Sequence, residues 1–127
     1  MIVIFIGSIL VLSGCTNPQY EETFIGTWKV IQINGESPPD FVNTEWTFFE
    51  NGSVVSIVTT AQREDINWYS YTYNESIHRM DHFIVNDTSG EIDFGVVYTY
   101  EFLDGAKQLR LIQYDFDVSF TFERIEK

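Results

Sequence analysis

Two histidines and an aspartate lie close together in the chain and have side chains that often hold metal ions. His78, Asp81 and His82 form the pattern His-x-x-Asp-His, which on a helix places all three on one face as metal ligands. The surrounding residues predict a strand or a turn instead, where His78 and His82 share one face and Asp81 points away. Asp115 and Asp117 flank a turn but lack the further oxygen ligands that a tight cation site needs. We therefore predict no metal site and interpret the two aspartates as solvated.

Nucleophilic catalysis has no recognisable motif in this sequence. No Gly-x-Ser-x-Gly segment is present, and a catalytic Ser or Cys needs a base positioned beside it. Carboxylates that are distant in sequence can still meet in a fold. A hydrolase therefore stays open only if acids converge with His78 or His82 in a cleft. Otherwise we expect a protein that is not an enzyme and that uses no cofactor.

The single cysteine, Cys15, follows an apolar stretch. Residues 2–12 are apolar except for Gly7 and Ser8, a run with the length of a signal-peptide core and well short of the ~20 residues that span a bilayer. The two residues before the cysteine are small, as a signal peptidase requires at its cleavage site. Because there is one cysteine, no disulfide can form within the chain.

Residues 12–15, Leu-Ser-Gly-Cys, are similar to a bacterial-type lipobox. The resemblance implies that the sulfur of Cys15 carries a diacylglyceryl group and that the cleaved chain begins there. Each buried methylene contributes about 0.8 kcal/mol, so two acyl chains hold a domain stably on a membrane. An uncleaved signal anchor or a free buried thiol is the alternative. The expected organisation is a signal peptide over 1–14, a tether over 15–23 and one domain over 24–127, held outside the cytoplasm at the cell envelope.

The charge of the domain is strongly negative. Asp and Glu number 19 against 7 Lys and Arg, for a formal net charge of −12, and all of these residues follow Cys15. Nucleic acid is excluded as a partner because its binding depends on Lys and Arg that neutralise phosphates. Flat contact with an anionic membrane is also disfavoured. We therefore expect the domain to stand off the membrane on its tether.

The remaining sequence predicts an all-β domain. Aromatic and β-branched residues alternate with polar ones, Asn, Asp, Gly and Pro interrupt them at short intervals, and no long stretch has helical periodicity. We predict eight strands, at Phe24–Ile33, Thr44–Glu50, Ser53–Thr60, Ile66–Tyr73, Ile77–Val85, Ile92–Leu103, Lys107–Tyr114 and Val118–Ile125. Short loops favour a meander, and closing it removes the two exposed edges. The predicted fold is an eight-stranded antiparallel up-and-down barrel.

Two hairpin turns fix the predicted faces of four strands. Asn51-Gly52 suits a two-residue type I′ turn, which pairs Glu50 with Ser53 and predicts a core cluster of Trp46, Phe48, Val55 and Ile57. Asp104-Gly105 predicts a second hairpin, in which a loop of two or four residues leaves the same side chains inside. These are Tyr98, Tyr100, Phe102, Leu109 and Leu111.

The first and last strands each direct a characteristic residue inward. Trp28 and Val30 share one face of the first strand, and in the last strand Arg124 follows Val118 and Phe122 on the apolar side. If these strands pair, the guanidinium can stack on the indole, which contributes about 0.5 to 2 kcal/mol. We therefore predict that Trp28 and Arg124 close the barrel.

Four segments together resemble the small lipocalin-like lipoproteins of prokaryotic envelopes. They are Gly26-Thr27-Trp28, Phe48-Phe49-Glu50-Asn51-Gly52, Trp68 and Phe122-Glu123-Arg124, in that order after the lipobox. The resemblance implies that Trp28 stacks on Arg124 at a closed end of the barrel. It also implies a cavity for small apolar molecules at the opposite, open mouth.

Trp46, Trp68, Tyr98 and Tyr100 are the candidate lining of such a cavity, because Trp and Tyr combine apolar area with a polar group. An eight-stranded barrel is just wide enough to be packed solid or to hold one small ligand. The expected function is therefore non-covalent binding of a small, partly apolar molecule by a membrane-anchored barrel. The alternative is a solid barrel whose outer surface, or whose Pro38-Pro39 loop, contacts another envelope protein.

Overall fold

The computed structural model describes residues 20–85 and 92–125. The predicted signal peptide and Cys15 lie outside the described residues. Eight strands are present, and each bound lies within two residues of its predicted position: β1 Gly26–Ile33, β2 Asn43–Phe48, β3 Ser53–Thr59, β4 Glu64–Asn74, β5 Arg79–Val85, β6 Ile92–Leu103, β7 Gln108–Gln113 and β8 Ser119–Ile125. Within the described ranges there is no helix of the length and apolarity that crossing a bilayer requires.

The strands form a closed barrel in sequence order, so the predicted eight-stranded up-and-down fold is confirmed. Each strand pairs antiparallel with the next, and β1 also pairs with β8. The lower end, as we name it, is where β1 begins and β8 ends, together with turns 49–52, 75–78 and 104–107. The upper end carries connections 34–42, 60–63 and 114–118.

The β2–β3 hairpin differs from its prediction by one residue. Phe48 pairs with Val54 rather than Val55, because the turn contains three residues between Phe49 and Ser53 instead of two. Gly52 alone adopts a positive φ, 87°, while the Asn51 side chain accepts a hydrogen bond from the Ser53 amide at 3.0 Å. A shift of one residue moves every side chain of a strand to the opposite face. Val54 and Ser56 therefore face inward, and Val55 and Ile57 face outward, contrary to the prediction, although Val55 is still buried at 6% exposure.

The β6–β7 hairpin has the predicted faces. Leu103 pairs with Gln108, which leaves a four-residue loop, and Tyr100 lies opposite Leu111. The outward positions Glu101 and Arg110 form an exposed ion pair at 3.4 Å. In this hairpin the apolar side chains therefore face the core and the polar ones face the solvent, as the sequence predicts.

Aromatic side chains dominate the barrel core. Phe24 lies across the lower end, and its ring centroid is 4.8 Å from that of Tyr100 and 5.5 Å from that of Phe48. The buried residues of the core form one continuous cluster: Phe24, Trp28, Val30, Trp46, Phe48, Val54, Tyr71, Met80, Tyr98, Tyr100, Leu109, Leu111 and Phe122.

Trp28 and Arg124 pair directly across β1 and β8. The guanidinium carbon of Arg124 lies 4.3 Å from the centroid of the Trp28 ring, and Nη2 donates to the carbonyl of Ala106 at 3.0 Å. Trp28 Nε1 donates to the carbonyl of Phe24 at 2.8 Å, so the polar atom of this fully buried indole is satisfied.

Gly26 begins the strand with φ 132°, a backbone conformation that residues with a side chain rarely adopt. This explains the glycine of the Gly-Thr-Trp segment.

Replacing Trp28 by alanine is expected to lower the free energy of unfolding by about 3 to 5 kcal/mol, because it removes a large buried aromatic group and leaves a cavity. Chemical denaturation followed by circular dichroism measures the loss. Trp68→Ala is the matched control and should cost less than about 1 kcal/mol, since Trp68 is exposed. Equal losses in the two variants would contradict the assigned faces.

Candidate functional site

Three of the four predicted lining residues lie inside the barrel. Trp46, Tyr98 and Tyr100 are buried in the core. Trp68 is 58% exposed and lies on the outer face, where it pairs with Val55, so its predicted place in a cavity is wrong. The β4 residues that contribute to the core are Tyr69 and Tyr71, and alternation along a strand then directs Trp68 outward.

The interior aromatic rings are closely packed. The ring centroid of Trp46 lies 5.0 Å from that of Phe122 and 6.4 Å from that of Tyr98. Burial, with a smaller contribution from nearby Tyr69, raises the pKa of Tyr98 to about 12. Side chains thus occupy much of the space that a ligand would need around Trp46 and Tyr98.

His82 is the most unusual polar residue of the interior. Its side chain points into the barrel from β5 and the residue is 5% exposed. The centroids of the Tyr69 and Trp46 rings lie 4.2 and 5.0 Å from that of its imidazole. Within the part of the chain that the structure describes, neither ring nitrogen has a hydrogen-bond partner. Burial lowers the pKa of His82 to about 4, so the imidazole is neutral at pH 7 and offers one donor and one acceptor.

The sequence suggests His82 as a metal ligand or as a base beside converging acids, and not as a residue of the barrel core. Because a polar residue is most often exposed, its burial among aromatic rings is a tertiary feature that the local pattern does not carry. The one available signal was alternation: His82 shares the inward parity of Met80, which is fully buried.

The His-x-x-Asp-His residues do not converge. His78 lies in the turn before β5 with a positive φ of 51°, and its ring packs 5.4 Å from that of Tyr100. Asp81 is exposed on the outer face while His82 points inward. Among the residues that the structure describes, no group of three or more His, Cys, Asp or Glu side chains is placed to hold a metal ion.

A groove of about 500 Å³ runs along the outer face of β7 and β8 at the upper end. Ile112, Phe116 and Val118 provide its apolar lining, and Arg110 and Asp117 its charges. We call this feature the Phe116 groove. Phe116 is 64% exposed, and Ile112 and neighbouring Tyr114 are also exposed. Large apolar side chains that stay in water in this way often mark a contact surface.

Comparison with known proteins adds no assignment. No protein-family model matches the chain, and no curated protein matches it.

The buried imidazole predicts a specific pH dependence of stability. Unfolded His82 titrates near 6.5 and folded His82 near 4, so between these values the unfolded state binds more protons. The free energy of unfolding therefore falls as the pH is lowered through this window, by a total of about 3 kcal/mol. His82→Phe keeps a ring in place and should remove this component.

Denaturation between pH 7 and 4 measures the effect as the difference in pH dependence between the unaltered protein and each variant. His78→Asn is the control, because asparagine tolerates the left-handed backbone at this exposed turn, and it should retain the full pH dependence. A His82→Phe variant with the slope of the unaltered protein would contradict the prediction.

Proposed function

We propose that this protein is a lipid-anchored, non-catalytic barrel of the cell envelope that binds a protein partner in the Phe116 groove. The lipobox-like residues 12–15 and the resemblance to small lipocalin-like lipoproteins support the anchor and the location. The barrel supplies a rigid support for surface residues. In this proposal no reaction takes place, and binding is the function.

The observation that carries the proposal is the contrast between the interior and the outer surface. Inside, Trp46 is in contact with several aromatic rings and is almost fully buried. Outside, Ile112 and Phe116 expose apolar area beside a groove. In protein interfaces, a few side chains that insert into the surface of the partner contribute most of the binding energy.

The charge of the molecule indicates the chemistry of the partner. The chain carries a net charge of −12, and the groove itself holds Asp117 together with Arg110, whose charge is paired with Glu101 at 3.4 Å. A basic partner surface with an apolar side chain at its centre is complementary to both features. Complementary charges of this kind accelerate association and exclude acidic partners.

Site-specific photocrosslinking in cells tests this proposal. A photoreactive residue at Tyr114 should capture a basic envelope protein, and Ile112→Ser should abolish the product. Ile66→Ser is the matched control, since Ile66 is also an exposed isoleucine on the outer face, and it should leave the product unchanged. Washing the complex at about 0.5 M salt before irradiation should weaken capture, because salt screens exposed charges. Equal crosslinking in both serine variants would contradict the proposal.

A second candidate function is binding of a small, partly apolar molecule inside the barrel. The two unpartnered nitrogens of His82 favour it, since buried polar groups are nearly always hydrogen-bonded. A ligand hydroxyl or carbonyl between the Trp46 and Tyr69 rings would satisfy this imidazole. The neighbouring rings would have to move apart to admit it.

Native mass spectrometry of the purified protein, together with displacement of an apolar dye, tests the second candidate. Binding at His82 should yield an extractable molecule with a polar head group, and His82→Phe should weaken dye displacement by that molecule about 5- to 150-fold, since an unmatched buried polar group costs about 1 to 3 kcal/mol. Protein that carries no molecule and excludes the dye would reject this candidate and leave the groove proposal intact.

A further inference from the structure

The segment that leads into β1 is fixed on the lower end of the barrel. The amide of Tyr20 donates to the carbonyl of Gly105 at 2.9 Å, and Nη2 of Arg124 donates to the carbonyl of Glu21 at 3.2 Å. The guanidinium of Arg124 lies 4.9 Å from the centroid of the Tyr20 ring, and Phe24 is buried. Residues 20–23 of the predicted tether are therefore part of the barrel end and are not a free linker.

This attachment leaves a short link to the predicted lipid. Only residues 16–19 lie between Cys15 and Tyr20, and a fully extended chain of this length reaches at most about 18 Å. The headgroup region of a bilayer is itself roughly 5 to 7 Å thick. If Cys15 carries the lipid, as the proposed function requires, the lower end is held close to the membrane and the upper end faces away.

The surface at the lower end has the composition of a membrane-interface contact. Phe49 in the β2–β3 turn stacks on Trp68, which projects from the outer wall of β4 beside this turn, with ring centroids 5.8 Å apart. Tyr73 and Ile77, at the end of β4 and in the β4–β5 turn, are exposed as well. Trp and Tyr are enriched at the headgroup level of membranes, where one part of the side chain is in an apolar environment and the other is hydrated. We call these four residues the lower aromatic patch.

Charges at the same end select the kind of bilayer. Glu21, Glu22, Glu50 and Glu75 are all exposed there. Carboxylates repel an anionic surface, and this repulsion extends over about one Debye length. A zwitterionic surface imposes no such repulsion, so the lower aromatic patch fits zwitterionic headgroups best.

We propose that the lower aromatic patch rests in the headgroup region of the zwitterionic bilayer that holds the lipid anchor. This inference depends on the lipid at Cys15 in the proposed function. It replaces the expected stand-off on the tether over 15–23 with direct contact, and it leaves the Phe116 groove at the upper end accessible to a partner.

Tryptophan fluorescence gives a direct test, because Trp68 is the exposed member of the three tryptophans. The lipidated protein is reconstituted into phosphatidylcholine vesicles that contain bromine, a short-range quencher, near the headgroup. The proposal predicts quenching of up to about one third of the total emission, since Trp68 is exposed to the quencher whereas Trp28 and Trp46 are buried in the core. Vesicles rich in phosphatidylglycerol should quench less at low salt and more as salt is added.

Two variants control the measurement. Trp68→Phe should abolish the quenching while the protein still floats with the vesicles. Adding Phe41→Trp to that variant places a reporter on the upper end, where Phe41 is 72% exposed, and this reporter should not be quenched. Protein that fails to float would overturn the lipid anchor and, with it, the proposed function. Protein that floats without quenching at Trp68, or with quenching at position 41, would overturn the contact alone.

Discussion

Arg124 joins four parts of the barrel through one side chain. It lies on β8, stacks on Trp28 of β1, donates to the carbonyl of Ala106 in the β6–β7 turn and donates to the carbonyl of Glu21 in the leading segment. A guanidinium has donors on three nitrogens in one plane and an apolar face, so it can make all these contacts together. The first and last strands are thereby held edge to edge, and the eight described strands leave no exposed edge to pair with another molecule.

The closed lower end gives the two ends of the barrel different roles. Phe24, Trp28 and Arg124 fill the lower end and determine where the chain approaches the membrane in our proposal. The upper end carries longer connections and the Phe116 groove. Between them the interior is devoted to packing, except at His82, where an unpartnered imidazole is retained at a cost in stability. Among the described residues, such a group surrounded by aromatic rings is an interior feature that packing alone does not explain.

Alternation and turn residues were sufficient to predict the number, order and faces of most strands. The pairing of Trp28 with Arg124 followed from strand parity and barrel closure. The β2–β3 register was missed because Asn51 uses its side chain to cap the Ser53 amide, which favours a three-residue turn over a type I′ turn. Trp68 was misplaced because aromatic type does not distinguish a core residue from an exposed one. Alternation with Met80 indicates that His82 faces inward, but the aromatic rings around it and the docking of Tyr20 depend on residues far apart in sequence, so no local pattern could reveal them.

Native-state hydrogen exchange of the barrel tests most directly whether the Arg124 contacts close it. In a barrel closed by these contacts, amides of β1 and β8 exchange only when the whole domain unfolds, with the same free energy as amides of the β3–β4 ladder. The Tyr20 amide, which donates a hydrogen bond to the carbonyl of Gly105, should also be protected from exchange. Exchange of β1 and β8 at a much lower free energy, while β3 and β4 remain protected, would contradict the closure on which the account depends.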